Sequence, residues 1–286
     1  MEETKYRKIE RLSPSSIIKL LTDYKGWYRN YVLGEKEPDN VYFQFGTAFH
    51  GFLEDFFAVE PTSSDNIKSF VERRYTELFD KWFTKNTELH TFFDEELGIT
   101  LETSEEWTYN YLKQWVDETL PLEKKHGVVK AFNFNKPSIC EWHLEDAELK
   151  VHGYADAYYG KDKYNVASGF INFHTIEDVN MVEFGDYIKD YKTSKVDRNT
   201  NNTKYYLQTL IYALMFTRAN KRNKINFVCI DYLKYNQKYF YHVPEHILCS
   251  LEKLIKDIHR IIDKINETPE KYFDSPPEKL SLKDYL

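Results

Sequence analysis

The chain has 286 residues and is 42% hydrophobic, 30% charged and 17% aromatic, ample apolar material for a buried core, which excludes disorder over most of its length. No apolar run approaches the about 20 residues of a membrane span. The opening MEETKYRKIERLSPSS has neither the apolar stretch nor the small-residue cleavage site of a secretory signal, so a soluble, cytoplasmic protein is expected.

The net charge of −7 hides a strong polarity: Asp186–Phe240 holds eleven Lys/Arg against four Asp/Glu, whereas Glu54–Glu118 holds six against sixteen. Only the first of these regions suits a polyanion. Cys140, Cys229 and Cys249 are too scattered for a disulfide framework and contain no C-x-x-C pair, so a thiolate-held cofactor is not expected.

In chain order, Ser13-Pro14 followed by SSIIKLLTDYKGWYRNYVLG reads as an N-cap, a proline at the first helical position and an amphipathic helix ending near Gly34. VYFQFGTAFHGFLEDFFAV then places Gly46, His50 and Glu54 four residues apart, on one helical face. Residues 58–136 are acidic, aromatic and rich in helix formers, with Phe70, Tyr75, Leu78, Phe79 and Trp82 at helical spacing, and are read as a helical insertion. From about Ser138 the composition turns β-compatible. SICEWHLEDAELKVHGYADAYYG predicts a hairpin, VEFGDYIKDYKTSK a third strand, TKYYLQTLIYALMFTRAN a helix, INFVCIDYLKYNQKYFYHV two more strands, and HILCSLEKLIKDIHRIIDKI a closing amphipathic helix.

Chemistry concentrates on two of these strands. Asp156 ends one, and Asp190-Tyr191-Lys192 ends another, where alternation sets Asp190 and Lys192 on the same face about 7 Å apart. Oxygen ligands of this kind suit Mg²⁺ or Mn²⁺, and a nearby lysine could contact water or a phosphate. Taken alone, a D-x-K triplet is ordinarily a solvated strand edge, and a lone helical histidine a surface group.

Four separated segments in order carry more weight: FGTAFHGFLE, VHGYAD, IKDYKTSK and LQTLIYA. With these the chain resembles the PD-(D/E)xK nuclease superfamily, specifically the RecB-type branch of CRISPR-adaptation nucleases, AddB-type nuclease domains and phage exonucleases. The resemblance implies that His50, Asp156 and Asp190 ligate Mg²⁺ or Mn²⁺, aided by the carbonyl of Tyr191, and that Lys192 activates or positions water. It makes Gln208 and Tyr212 supporting residues. Glu54 would orient His50 from behind, while Glu141 matches only weakly and is left out of the set. Iron–sulfur members of the branch carry a cysteine in the first helix and more at the C-terminus; here those regions read TDYKGWYRNY and KLSLKDYL, so no iron–sulfur cluster is expected. Trp27, Tyr28 and Tyr31 would replace that staple by packing on the C-terminal segment.

The expected architecture is a three-layer, restriction-endonuclease-like α/β core with a central mixed sheet flanked by helices. Residues 1–57 would carry the histidine motif, 58–136 the helical acidic insertion and 137–286 the nuclease core. The expected function is metal-dependent hydrolysis of DNA, by an exonuclease or a single-strand or flap-directed nuclease of recombination, repair or replication. Lys195, Arg198 and Lys204 would track the phosphates of single strands or duplex ends, with Lys221, Arg222 and Lys224 a second basic group. The competing expectation is a non-catalytic nuclease-fold subunit acting on a protein partner through its acidic helical surface.

Overall fold

The computed structural model describes residues 6–160, 186–193, 201–220 and 224–285; the side chains of 201 and 202 are not described. Local sequence explains where each helix starts. Ser13 forms a reciprocal capping box with Ser16, with Pro14 in the first turn of α1 (Pro14–Thr22). A short helix α2 (Tyr24–Trp27) runs on into a π-helical turn that Gly34 closes in left-handed backbone at φ 73°. Asn40 caps α3 (Val41–Ala58) by accepting the Phe43 N–H at 3.0 Å. Phe45, Phe49, Phe52 and Phe56 follow at helical spacing, and all four are fully buried.

The acidic segment forms α4 (Ile67–Phe79), α5 (Thr87–His90), α6 (Leu101–His126) and α7 (Val128–Asn135). Its apolar side is exceptionally aromatic: Phe70, Phe83, Trp107, Trp115 and Phe132 join α3 in one cluster that also includes Tyr159, Tyr187, Tyr191, Phe227 and Phe240 from the sheet. The helices of 58–136 thus cover one face of the sheet as a layer. The opposite layer is α1, α8 (Asn201–Ala219) and α9 (Glu245–Glu267), whose Leu251, Ile255, Ile258 and Ile262 recur every three or four residues along a buried stripe. The expected layering of helices on both faces of one sheet is therefore what the chain adopts.

The described strands form one five-stranded sheet in the order β1 (Ile139–Asp146), β2 (Val151–Tyr159), β3 (Tyr187–Lys192), β4 (Phe227–Tyr232), β5 (Gln237–His242). Only β3 and β4 run parallel, with α8 between them in sequence; the other pairs are antiparallel, so the sheet is mixed.

The hairpin changes face part-way along. Trp142 and Leu144 on β1, with Val151 and Ala155 on β2, pack on the α1/α8/α9 layer. Residues of the same parity just beyond, Cys140 on β1 and Ala157 and Tyr159 on β2, pack on the aromatic layer. Glu141 and Asp156 occupy that step, between the pairs Cys140↔Ala157 and Trp142↔Ala155, and Glu141 takes left-handed backbone at φ 46°. A left-handed residue rotates β1 about its axis, which turns Cys140 to the face opposite Trp142.

The chain ends are tied by aromatic packing. Tyr24 and Tyr28 donate their hydroxyls to the carbonyls of Tyr272 and Pro269, each at 2.6 Å, and Tyr28 meets Phe273 edge-on at 5.5 Å. Among the described residues no helix is long and apolar enough to cross a membrane.

Candidate metal centre

The site lies at the step in the hairpin, where β2 also parts from β3. The β2–β3 ladder runs through Ala157↔Lys189 and, continued by one pair, would set Asp156 against Asp190. There the ladder stops. Asp156 instead accepts the Tyr191 N–H through Oδ2 at 2.6 Å, a charge-assisted bond that pins the carboxylate.

His50 reaches this point from the middle of α3. Its Nδ1 stands 3.6 Å from Asp156 Oδ1 and 3.5 Å from Glu141 Oε1, and its ring meets that of Tyr191 edge-on at 6.0 Å. One donor atom from each of His50, Glu141 and Asp156 fits within 4.8 Å of the others. Burial disfavours the imidazolium, but Asp156 and Glu141 favour it more, and its pKa is pushed up to about 9.

Asp190 stands beside this cluster on β3 and is buried, 1% exposed. Lys192 Nζ pairs with its Oδ2 at 2.6 Å, whereas its Oδ1 accepts no hydrogen bond from a described residue. Burial raises the Asp190 pKa to about 6, with Lys192 opposing and Asp156 adding to the rise. Burial works against the Lys192 ammonium, yet Asp190 and Asp156 outweigh it and hold the pKa above its ordinary value. Lys192 also donates to Gln208 Oε1 at 3.3 Å, Gln208 donates from Nε2 to the Tyr212 hydroxyl at 3.3 Å, and the ammonium lies 4.7 Å from the centre of the Tyr205 ring.

The donor set fits a hard divalent cation: His50, Glu141 and Asp156 are gathered, and the buried Asp190 carboxylate beside them keeps Oδ1 without a hydrogen-bond donor among the described residues. Lys192 offsets part of the cost of a charge buried there, and a cation at the unpaired oxygen would offset more.

A family model of the PD-(D/E)XK nuclease superfamily matches residues 11–272. The chain belongs to that superfamily. No curated protein matches the chain.

Of the residues assigned from sequence, His50, Asp156, Asp190, Lys192, Gln208 and Tyr212 converge at this one place, with Tyr191 supplying a backbone N–H to Asp156. Glu54 does not join them: it is exposed, and the carboxylates facing His50 Nδ1 are Glu141 and Asp156. Glu54 lies one turn past His50, towards Cys140, whose thiol pKa burial and then Glu54 push up to about 12. Glu141, left out on sequence, is the residue that reading missed. Its signal was available by counting across the turn at 147–150, which sets it opposite Asp156. Lys204 is exposed near the start of α8, while Lys195, Arg198, Lys221 and Arg222 lie outside the described residues. The three cysteines are separate: Cys229 is buried, Cys140 half-buried and Cys249 exposed.

Proposed function

We propose that this nuclease-superfamily protein hydrolyses DNA phosphodiester bonds with Mg²⁺ or Mn²⁺, acting as an exonuclease or a single-strand or flap-directed nuclease in recombination, repair or replication. The observation that carries the reading is the buried Asp190 carboxylate, paired to Lys192 through Oδ2 and unpartnered at Oδ1 among the described residues, beside the His50–Glu141–Asp156 cluster.

His50, Glu141, Asp156 and Asp190, with the Tyr191 carbonyl, would hold the cation. When bound it supplies Lewis acidity to a phosphate oxygen and lowers the pKa of a coordinated water. Asp156 is kept in place by the Tyr191 N–H. Lys192 is protonated as it stands, so its part is electrostatic: a positive charge, oriented by Gln208, facing the negative charge that develops on the attacked phosphate. Tyr212 braces Gln208 in turn. Lys195, Arg198 and Lys204, which follow Lys192 in sequence, would hold phosphates in contacts that weaken with salt. The acidic segment, net −10 from Glu54 to Glu118 in sequence, repels a polyanion and leaves the DNA to the basic region.

The test is incubation with end-labelled single-stranded, blunt duplex and closed circular DNA in Mn²⁺, Mg²⁺ or EDTA, beside Asp190→Ala. Metal-dependent loss of linear DNA but not of circles, absent in the variant, is the expected result. Cutting of circles would replace exonuclease by endonuclease, and cleavage that survives in pure Asp190→Ala would overturn the site.

A further inference from the structure

Three aromatic rings, of Phe43, His143 and Tyr154, are exposed near one end of this site. Tyr154 is 57% exposed on β2 and Phe43, on α3, is 61% exposed. His143, also exposed, stands directly opposite Tyr154 in the β1–β2 ladder with ring centroids 4.9 Å apart. Single exposed apolar residues are ordinary on a protein surface; three placed on one side of the sheet near one end of a charged centre call for a reason.

Their placement follows from register and helical phase. Trp142, Leu144 and Ala155 point into the α1/α8/α9 layer, so their neighbours His143 and Tyr154 point to the other side of the sheet, the side of α3. Tyr154 is two residues from Asp156, and His143 two from Glu141, about 7 Å along each strand. Phe43 precedes His50 by seven residues, two turns of helix, and so faces the same way as the imidazole. The lengthwise position agrees as well. Because β3 runs antiparallel to β2, Lys192 and Thr193 lie beyond Asp190 in the direction of Tyr154. Thr193 donates its hydroxyl to the Tyr42 carbonyl at 3.5 Å, which brings the Phe43 end of α3 to that same end of the sheet.

We infer that Tyr154, backed by His143, and Phe43 form a stacking grip for the bases of an unpaired DNA strand whose phosphate lies at the His50–Asp156–Asp190 centre. This rests on the nuclease reading and narrows it to single-stranded or frayed substrate. Base faces are flat and apolar, every base has one, and an exposed ring beside a phosphate-binding centre offers a sequence-independent partner worth about 1–3 kcal/mol per base. In a duplex both faces of an internal base are already stacked, so the rings discriminate by strandedness.

The experiment measures binding of a fluorescein-labelled 20-mer of deoxythymidine, its abasic counterpart and a blunt duplex by anisotropy in EDTA, so that no cleavage is needed. Wild type is compared with Tyr154→Ala, Phe43→Ala and Tyr154→Trp. The expected result is a loss of about 5-fold or more for each alanine variant on the 20-mer, corresponding to the lower end of that stacking range. Tyr154→Trp should keep wild-type affinity, and all four proteins should bind the abasic strand alike. The salt slope should not change, because no phosphate contact is removed. Unchanged affinity of both alanine variants for the 20-mer, or an equal loss on the abasic strand, overturns the grip. Absence of cleavage by wild type would instead defeat the nuclease reading and leave these binding results to stand by themselves.

Discussion

Asp156 bonds the Tyr191 N–H through one carboxylate oxygen, at 2.6 Å, while its other oxygen faces His50 Nδ1 at 3.6 Å. One side chain thus finishes the β2–β3 contact that the ladder abandons and supplies a donor to the metal centre. The two duties separate by substitution. Asp156→Asn keeps an acceptor for Tyr191 but loses the charge, and Asp156→Ala loses both. In EDTA, urea unfolding should place Asp156→Ala about 1–3 kcal/mol below Asp156→Asn, the cost of a buried N–H left unpaired. Both should lose Mn²⁺ binding and cleavage. Equal stability of the two variants would show that the bond to Tyr191 contributes nothing.

The metal-free site sets a pH dependence with a definite sign. His50 has its pKa raised to about 9 from 6.5. Its contribution to stability is therefore complete below about pH 6.5 and lost as pH rises through 9. Asp190 is raised to about 6 from 3.8, so the folded state holds that proton more tightly than the unfolded chain and stability again falls, here between about pH 4 and 6. Cation binding requires the neutral imidazole and the ionised carboxylate, so Mn²⁺ affinity should climb from pH 6 to 9 with about one proton released per metal at pH 7.5. Calorimetric titration in buffers of different ionisation enthalpy counts that proton. His50→Gln should abolish the release and flatten thermal stability in EDTA between pH 6.5 and 9.

Much of the layering was legible because periods of 2 and 3.6 mark elements without tertiary information. Ile188, Asp190 and Lys192 read correctly as one face of β3, since Ile188 packs on the α8 layer while Tyr187 and Tyr191 pack on the aromatic layer. The same rule fails at β1. Glu141 breaks strand parity with a left-handed φ of 46°, a backbone choice that nothing in CEWH announces, and its role emerges only from register with Asp156. Glu54 failed for the opposite reason: four-residue spacing gives a shared helical face, but where a partner lies across that face is set by how α3 crosses the sheet. That 58–136 packs as one layer over the sheet was likewise invisible, because an amphipathic helix does not name the surface it covers.

Two glycines of the recognised segments should behave differently. A Cβ on Gly153 would stand 3.0 Å from both Pro14 Cδ and Tyr212 Cε1, in the gap where α1 and α8 cross β2. A Cβ on Gly46 would meet only Thr193 Oγ1, at 3.5 Å, an ordinary contact. Gly153→Ala should push Tyr212 away from Gln208 and cost about 1–3 kcal/mol by overpacking, with a fall in kcat. Gly46→Ala, mid-helix and sterically free, should gain about 0.5–1 kcal/mol of stability from helix propensity. Thermal melts beside single-turnover cleavage check both, and a harmless Gly153→Ala would mean that the α1–α8 crossing yields more readily than its distances imply.

On the opposite face of β3 from Asp190, Lys189 donates to Asp231 Oδ2 of β4 at 3.1 Å, with the two side chains 5% and 1% exposed. The ammonium lies 5.2 Å from the centre of the Tyr159 ring and 5.6 Å from that of Tyr191. An ion pair this deep recovers little more than its own desolvation, so it adds little net stability over well-packed apolar residues, whereas removing one member strands a buried charge. What the pair does supply is a link between β3 and β4 that a slipped strand would lose, and a slip of one residue would turn Asp190 and Lys192 away from the metal centre. Lys189→Met should therefore cost about 3–5 kcal/mol, and Lys189→Met with Asp231→Leu should recover most or all of it. If the pair fixes register, the recovered double variant should still bind Mn²⁺ more weakly than wild type. A double variant with wild-type stability, wild-type Mn²⁺ affinity and undiminished cleavage would show that packing alone aligns the two strands.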